Sequence, residues 1–394
     1  MSGAKDSPPT VLLTGATGFI GGASLAELVV SHSEWRVLLL VRGESPAVAV
    51  ERVRKSLGRF IDLAQVEPAL RACWVINGDL TDPGTLADDR LRSAMTASTL
   101  VKPGSSVPPR LEEITHVLHL ASNTSFRSVR GVRHTNILGT MTLAHRMRRV
   151  AGLKRFLYVG TAYICGDLPQ RIATEDDAPR PGIRHLVEYT SSKAECEMLL
   201  ENTAPELPLV IARPSIVIGH TRLGCLPSAS LFWFYRTVDL LRRYARPLET
   251  CEDVIPVDYA AQALLFLMEK PELRHRRYHV SAGLKSSVNW HQIEAVFAEC
   301  YGLRPENPFR VVDFATIERE RGRMRSLLGP GDEEHLLMAL RLYFQFAGLE
   351  VEIFDNSRLL AEGMRPPPRF TDYLKLCATQ PADRSVYDQM RDDE

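Results

Sequence analysis

No uninterrupted apolar run of 18 residues occurs in the 394-residue sequence, since Arg213 breaks the longest candidate, so no transmembrane segment is expected. The first ten residues, MSGAKDSPPT, lack the apolar core of a signal peptide. The seven cysteines (73, 165, 196, 225, 251, 300 and 377) are scattered, without a Cys-x-x-Cys pair or metal-like His/Cys spacing. That argues against a disulfide framework and against a metal site, and for reduced thiols in a soluble, cytoplasmic protein. There is no excess of either charge: 48 basic residues face 48 acidic ones, which removes the electrostatic case for nucleic acid. Neither an internal repeat nor a low-complexity tract stands out.

What is present is alternation. Short β-branched or apolar runs at 10–14, 36–41, 72–77, 114–120, 155–160 and 208–213 read as strands. Helical patterns fill most gaps, notably 19–31, 45–57, 133–151 and 190–203. Strands alternating with helices imply βαβ units, hence an α/β fold with a doubly wound parallel sheet of the Rossmann kind. Residues 98–110 (STLVKPGSSVPPR) read as a surface loop. The pattern changes after Gly219, returns to strand–helix–strand over 253–282, and is mainly helical from 286, with Asn289 a plausible N-cap. The expected division is therefore 1–220 with 253–282 as the dinucleotide-binding domain. The remainder, 221–252 with 283–394, forms a smaller C-terminal substrate lobe.

The strongest local signal is Thr14-Gly15-Ala16-Thr17-Gly18-Phe19-Ile20-Gly21, directly after Val11-Leu12-Leu13. Glycines at this spacing let a chain turn sharply from strand into helix and approach a pyrophosphate at the helix N-terminus. At the end of the second strand stands Arg42, where a carboxylate would favour NAD; a guanidinium suits a 2′-phosphate, with Arg52 or Arg54 adding charge. NADP(H) is the expected cofactor, the alternative being that Arg42 is a solvated surface charge. Asp79, before Leu80, either accepts from the adenine amino group or caps a turn. Leu120, Ala121 and Ser122 place small groups where a cofactor passes. Asn136 either braces the active-site strands or is exposed.

Tyr189 and Lys193 lie four apart in YTSSKAECE, so phenol and ammonium share a helix face. Lowering a phenol from a pKa near 10 to about 7 needs roughly 4 kcal/mol, which the lysine and a nicotinamide charge are expected to supply. Thr161, ending the strand VGTAY, offers a hydroxyl beside them or serves simply as a strand-edge β-former.

Together these residues resemble an extended short-chain dehydrogenase/reductase: the glycine turn, Gly78-Asp79-Leu80, His119-Leu120-Ala121, Asn136, Thr161, Tyr189/Lys193 and Arg213–Gly219 all match. Leu40-Val41-Arg42, SNTSF at 122–126 and the Gly-Thr-Ala-Tyr segment are similar to fatty acyl reductases and thioester-reductase domains of the male-sterility type. Gly160 stands where that subgroup usually has serine. The resemblance implies Thr161, Tyr189 and Lys193 as the catalytic set. It implies Gly15, Thr17, Gly18, Phe19, Ile20, Gly21, Arg42, Arg52, Asp79, Leu80, Leu120, Ala121, Ser122, Asn136 and Val159 around the cofactor, with Tyr189, Lys193, Pro214, Ser215 and Ile216. The implied reaction is NADPH-dependent reduction of an acyl thioester, carried on CoA or an acyl carrier protein, to aldehyde or alcohol. The alternatives are an extended dehydrogenase or epimerase acting on a steroid, polyketide or nucleotide-sugar, and a non-catalytic dinucleotide binder. A homodimer is compatible with the sequence.

Other features carry a plainer expectation. Arg127, Arg130 and Arg133 form a solvated helix face or meet a CoA phosphate or acidic carrier. Phe232, Trp233, Phe234 and Tyr235 are core, or line an acyl pocket. Cys165 is expected to be packed and inert, and the runs Arg242–Arg246 and Arg321–Arg325 to be exposed faces.

Overall fold

Strands buried on both faces need continuous apolar sequence, and TVLLT at Thr10–Thr14 (β1) supplies it: all five residues are buried. The same logic forms β2 (Arg36–Val41), β3 (Cys73–Asn77), β4 (His116–His119), β5 (Arg155–Val159), β6 (Leu209–Pro214) and β7 (Arg277–Val280). The structure is a computed structural model that describes residues 8–86, 108–125, 129–380 and 384–393. Its sheet has the order β7-β6-β5-β4-β1-β2-β3. Thr14 of β1 lies beside Leu40 of β2 on one side and His119 of β4 on the other. Strand order therefore reverses between β1 and β4, which opens a crevice at their carboxyl ends. No helix among the described residues is long and apolar enough to cross a membrane.

Helix boundaries follow local chemistry. The helix Phe19–Ser31 starts straight from the glycine turn, and Pro46–Leu57 is capped by the Ser45 hydroxyl accepting from the Val48 N–H, with Pro46 at its first position. A helix at Leu63–Arg71 escapes the sequence reading because Pro68 lies inside it. The expected helix 133–151 begins earlier, at Val129, ends at Met147, and is wound as a π-helix over His134–Gly139.

Contacts divide the chain into two units, Met1–Thr161 with Val187–Ala212 and Ala261–Arg277, and Ala162–Leu186 with Arg213–Ala260 and Tyr278–Glu394. This differs from the division read from sequence, chiefly by moving 162–186 and 213–220 into the second unit. Arg213 explains the difference: it is fully buried and donates to the carbonyls of Glu175 and Ala178, each at 2.9 Å. Pairing of Ile172 and Ala173 with Ile353 and Phe354 ties the same segment further into the second unit.

That second unit is built on aromatics. Phe232, Trp233, Phe234 and Tyr235 begin the helix Phe232–Leu241 and are all buried in its core. Asn289 caps Trp290–Tyr301 in a capping box with Gln292, as expected. The 242–246 run is not an exposed face. Arg243 is 6% exposed and pairs with Glu320, while Arg242 and Arg246 pair with Glu294 and Glu352. The second unit's packing supplies carboxylates that sequence spacing does not reveal. In the 321–325 run, Arg321 and Arg325 are largely exposed but also paired, with Glu334 and Glu333. Cys165 is buried, and burial pushes its thiol up to about 12, so it stays protonated at neutral pH.

In the first unit His119 is held neutral, pushed down to about 3 by burial and by the charge of Lys193. An unfolded histidine takes its proton near 6.5, so the unfolded state binds more protons below that pH and stability falls as acid is added. Between pH 6.5 and 5 this one residue should cost about 2 kcal/mol. A thermal-melt series for wild type and His119→Gln over that range checks it: the slope should flatten in the variant, and parallel slopes would refute the assignment.

Candidate active site

The glycine turn is shaped by contacts that leave no room for side chains. Gly15 has φ +80°, and a Cβ there would lie 2.6 Å from the Ala121 nitrogen. A Cβ on Gly21 would lie 2.0 Å from the Gly15 carbonyl oxygen. The turn closes through a Gly18 N–H to Gly15 O bond of 3.0 Å. Gly18 caps the helix without a side-chain acceptor, and no carboxylate occupies the first helical turn. A helix N-terminus left this way favours an anion.

Two arginines, Arg52 and Arg59, reach this turn, and Arg52 ties Arg42 to it. Arg52 donates to the Arg42 carbonyl at 2.6 Å and to the Thr17 hydroxyl at 3.4 Å. Arg54, the sequence alternative to Arg52, is instead engaged by Glu51 and Glu67. Arg59 donates to the Thr17 and Gly18 carbonyls at 3.2 and 3.3 Å; sequence reasoning missed it, because only the turn of chain after Leu57 brings it back. The Arg42 side chain is 63% exposed, and its guanidinium is 3.8 Å from an Asp79 oxygen. The other Asp79 oxygen accepts from the Thr81 N–H and hydroxyl, both at 2.9 Å, so Asp79 does cap a turn. Leu80 is buried, beneath Gly139.

The end of β4 is fixed from below. The Ala121 N–H donates to the Thr14 hydroxyl at 3.2 Å, and that hydroxyl is 2.7 Å from Nδ1 of His119, whose Nε2 is 2.8 Å from the Thr140 hydroxyl. With the Thr14 hydroxyl donating to Nδ1, the proton of the neutral ring sits on Nε2 and donates to Thr140. His119 thereby joins the strand before the glycine turn to the π-wound helix.

Asn136 sits in that π-helical segment and is only 1% exposed. Its side-chain oxygen accepts from the Asn123 N–H at 2.7 Å and the Ser122 hydroxyl at 3.1 Å. Its amide nitrogen donates to Asn123 O and to the Ser192 hydroxyl, both at 3.0 Å. The residue is a brace between the loop after β4 and the helix Glu188–Thr203, not an exposed polar group. The π-winding aims it there, and such local windings have no signature in residue spacing.

On the helix Glu188–Thr203, Tyr189 keeps partial exposure and hydrogen-bonds to Thr161. Lys193 is 3% exposed; its ammonium donates to Val159 O at 2.8 Å and lies 4.9 Å from the centre of the Tyr158 ring. Burial pushes the Tyr189 phenol up to about 12, opposed by the Thr161 hydroxyl, and pushes Lys193 down to about 8. In this arrangement burial sets the direction of the phenol's shift, and the ammonium donates to a backbone carbonyl. Thr161, Tyr189, Lys193, Val159 and Asn136 all belong to the first unit, with the glycine turn and the arginines. Pro214, Ser215 and Ile216 belong to the second, where Ile216 pairs with Val254.

Of the 127–133 arginines, Arg133 pairs with Glu188 and Glu195 at 2.8 Å each, Arg130 is exposed, and Arg127 lies outside the described residues, as does Phe126.

A family model described as male sterility protein, an NAD-binding domain, matches residues 13–101 and 104–264. Aldehyde reductase lnaA of Aspergillus flavus is 25% identical over 292 residues, covering 70% of this chain and 26% of the relative. An isonitrile lipopeptide synthase of Streptomyces coeruleorubidus is 29% identical over 273 residues, covering 67% of this chain and 17% of that protein. The chain therefore spans about a quarter, or less, of these relatives. The crystal structure of the terminal R domain from the myxalamid PKS-NRPS pathway is similar in fold, with a TM-score of 0.72 at 22% identity, over 95% of this chain and 90% of that one.

Proposed function

Because this chain belongs to the male sterility protein family of NAD-binding reductases, we propose that it reduces an acyl thioester with NADPH, releasing aldehyde or alcohol. The observation that carries the reading is the hydrogen bond between the partly exposed Tyr189 and the buried Thr161, with the buried Lys193 one turn along the same helix. The glycine turn fits a dinucleotide, since its two sterically closed positions hold the backbone where a pyrophosphate would lie against free helix N–H groups. When bound, NADPH supplies the hydride that reaches the thioester carbon.

The protein residues then have separate tasks. Thr161 holds the carbonyl oxygen, and Tyr189 gives that oxygen a proton as it becomes a hydroxyl. A phenol raised to about 12 stays protonated at neutral pH and so carries the proton to be given. The resulting hemithioacetal breaks its C–S bond to leave aldehyde and thiol. Lys193, held on the Val159 carbonyl, keeps its positive charge below about pH 8. Asn136 holds the loop after β4 against the Tyr189 helix.

The arginine trio supports NADPH over NADH. Guanidinium–phosphate bonds are charge-assisted, and the Arg42 side chain is exposed. The lipopeptide synthase and the terminal R domain support a carrier-bound acyl group as substrate, with acyl-CoA as the other thioester donor. On this reading, the first unit binds the dinucleotide and the second the acyl group.

The test is NAD(P)H oxidation followed by absorbance with acyl-CoA and acyl-phosphopantetheine esters, ketones and aldehydes. Thioester-dependent oxidation is the expected result; turnover of ketones without thioesters would replace this reading with the extended-dehydrogenase one. In the same assay Arg42→Glu should lower the NADPH-to-NADH ratio of kcat/KM by roughly 10–100-fold, the worth of one or two charge-assisted bonds. An unchanged ratio would withdraw Arg42 from phosphate recognition.

A further inference from the structure

The second unit holds a small, partly open cavity of about 50 Å³. A single water needs roughly 10–15 Å³ by this measure, so there is room for a few waters or one small polar group. Six of its fifteen lining residues are aromatic: Tyr163, Phe234, Tyr235, Tyr244, Tyr343 and Phe346. The rings meet at 5.3 Å for Phe234 with Tyr343 and 5.9 Å, edge to face, for Tyr163 with Phe346.

Four charged side chains also reach this cavity, and three are already committed. Asp253 accepts the N–H groups of Ala282, Gly283 and Phe354 at 2.7, 3.2 and 2.9 Å. Arg246 donates to Glu352 at 2.9 Å and to the Leu349 carbonyl at 3.0 Å. The other Glu352 oxygen takes the Cys251 N–H at 3.0 Å and Arg171 at 3.1 Å.

Glu252 is different. Its carboxylate is held only by neutral donors, the Trp290 indole at 2.7 Å, the Tyr244 hydroxyl at 3.0 Å and the Tyr235 hydroxyl at 2.9 Å. Among the described residues no arginine or lysine pairs with it directly. A carboxylate offers about four acceptor positions, and three are filled here.

We propose that this cavity is a subsite for a small organic ammonium group, the amine end of an amine-bearing acyl chain. An ammonium would receive the ring faces as cation–π partners and the remaining Glu252 lone pair as a charged acceptor. A hydrocarbon end would leave that acceptor unpaired, and an anion would meet the carboxyl groups of Glu252, Asp253 and Glu352 against a single arginine, Arg246, that Glu352 already engages. The proposal rests on reading the chain as a thioester reductase only for the words "acyl chain".

Calorimetric titration of the full chain with propylammonium chloride and, at matched ionic strength, with 1-propanol tests this without turnover. Propylammonium should bind at least about tenfold more tightly than the alcohol, and Glu252→Gln should remove about tenfold of that affinity. Equal affinities in the wild type overturn the proposal, and that comparison needs no variant that folds. Undiminished propylammonium binding in a folded Glu252→Gln protein overturns it as well. Thioester assays separate the two readings. Absent turnover with Glu252-dependent ammonium binding sinks the reductase assignment and upholds the amine subsite; turnover that ignores an added terminal amine sinks the subsite alone.

Discussion

Replacing Tyr189 with phenylalanine should lower thioester turnover by roughly 10²–10⁴-fold, the usual worth of a positioned proton donor. NADPH affinity should change by no more than about twofold, because the removed hydroxyl acts on the substrate oxygen rather than on the dinucleotide. The substitution deletes one oxygen from a partly exposed ring, so the melting temperature should hardly move. The pH profile adds a second readout. Since the phenol is pushed up to about 12, it does not titrate across the neutral range, whereas Lys193, pushed down to about 8, loses its charge there. Wild-type kcat/KM should therefore be level through neutrality and fall above about pH 8, and the residual activity of the variant should fall along the same limb. Stability moves the opposite way: an unfolded lysine keeps its proton to about 10.4, so raising the pH from about 8 to that value favours the folded state. Loss of activity above pH 8 with a rising melting temperature would assign the limb to Lys193, not to unfolding. A Tyr189→Phe enzyme with full activity would remove the phenol from the chemistry altogether.

The sheet and the glycine turn were legible because their signals are local. TVLLT and RVLLLV are continuous apolar runs of strand length, and the glycines follow the first of them directly. Tyr189 and Lys193 were legible for the same reason, four residues apart on one helix. What was not legible is everything set by burial or by distant chain segments. The phenol's direction of shift depends on how many atoms surround it, and the lysine's partner is a carbonyl 34 residues away. His119 reads as one residue of a strand, yet it spans from Thr14 to Thr140. The arginines at 242–246 look like a solvated run because their glutamates lie 52 to 106 residues further along. Proline at 68 conceals a nine-residue helix that carries it inside.

Replacing Gly21 with alanine sets two effects of opposite sign against each other. Gly21 lies within the helix Phe19–Ser31, with a backbone any residue can adopt, and alanine is favoured over glycine in a helix by about 1 kcal/mol. On propensity alone the variant should be more stable. The added methyl, however, would sit 2.0 Å from the Gly15 carbonyl oxygen and 2.7 Å from its carbon, both backbone atoms that cannot rotate away. Overpacking of this kind costs about 1–3 kcal/mol, so the steric effect should win and the melting temperature should drop. The displaced Gly15 carbonyl is also the acceptor that closes the turn onto the Gly18 N–H, so dinucleotide affinity should fall by about 100-fold or more. Gly18→Ala separates these consequences. Its Cβ would lie an ordinary 3.4 Å from the same oxygen, so the fold should be spared, while the methyl would stand where a pyrophosphate must approach. The expected pattern is loss of both stability and NADPH binding for Gly21→Ala, and of binding alone for Gly18→Ala, measured by thermal melts and calorimetric titration. A Gly21→Ala protein that melts higher and binds NADPH normally would show that helix propensity outweighs the contact, and that this turn does not hold the dinucleotide.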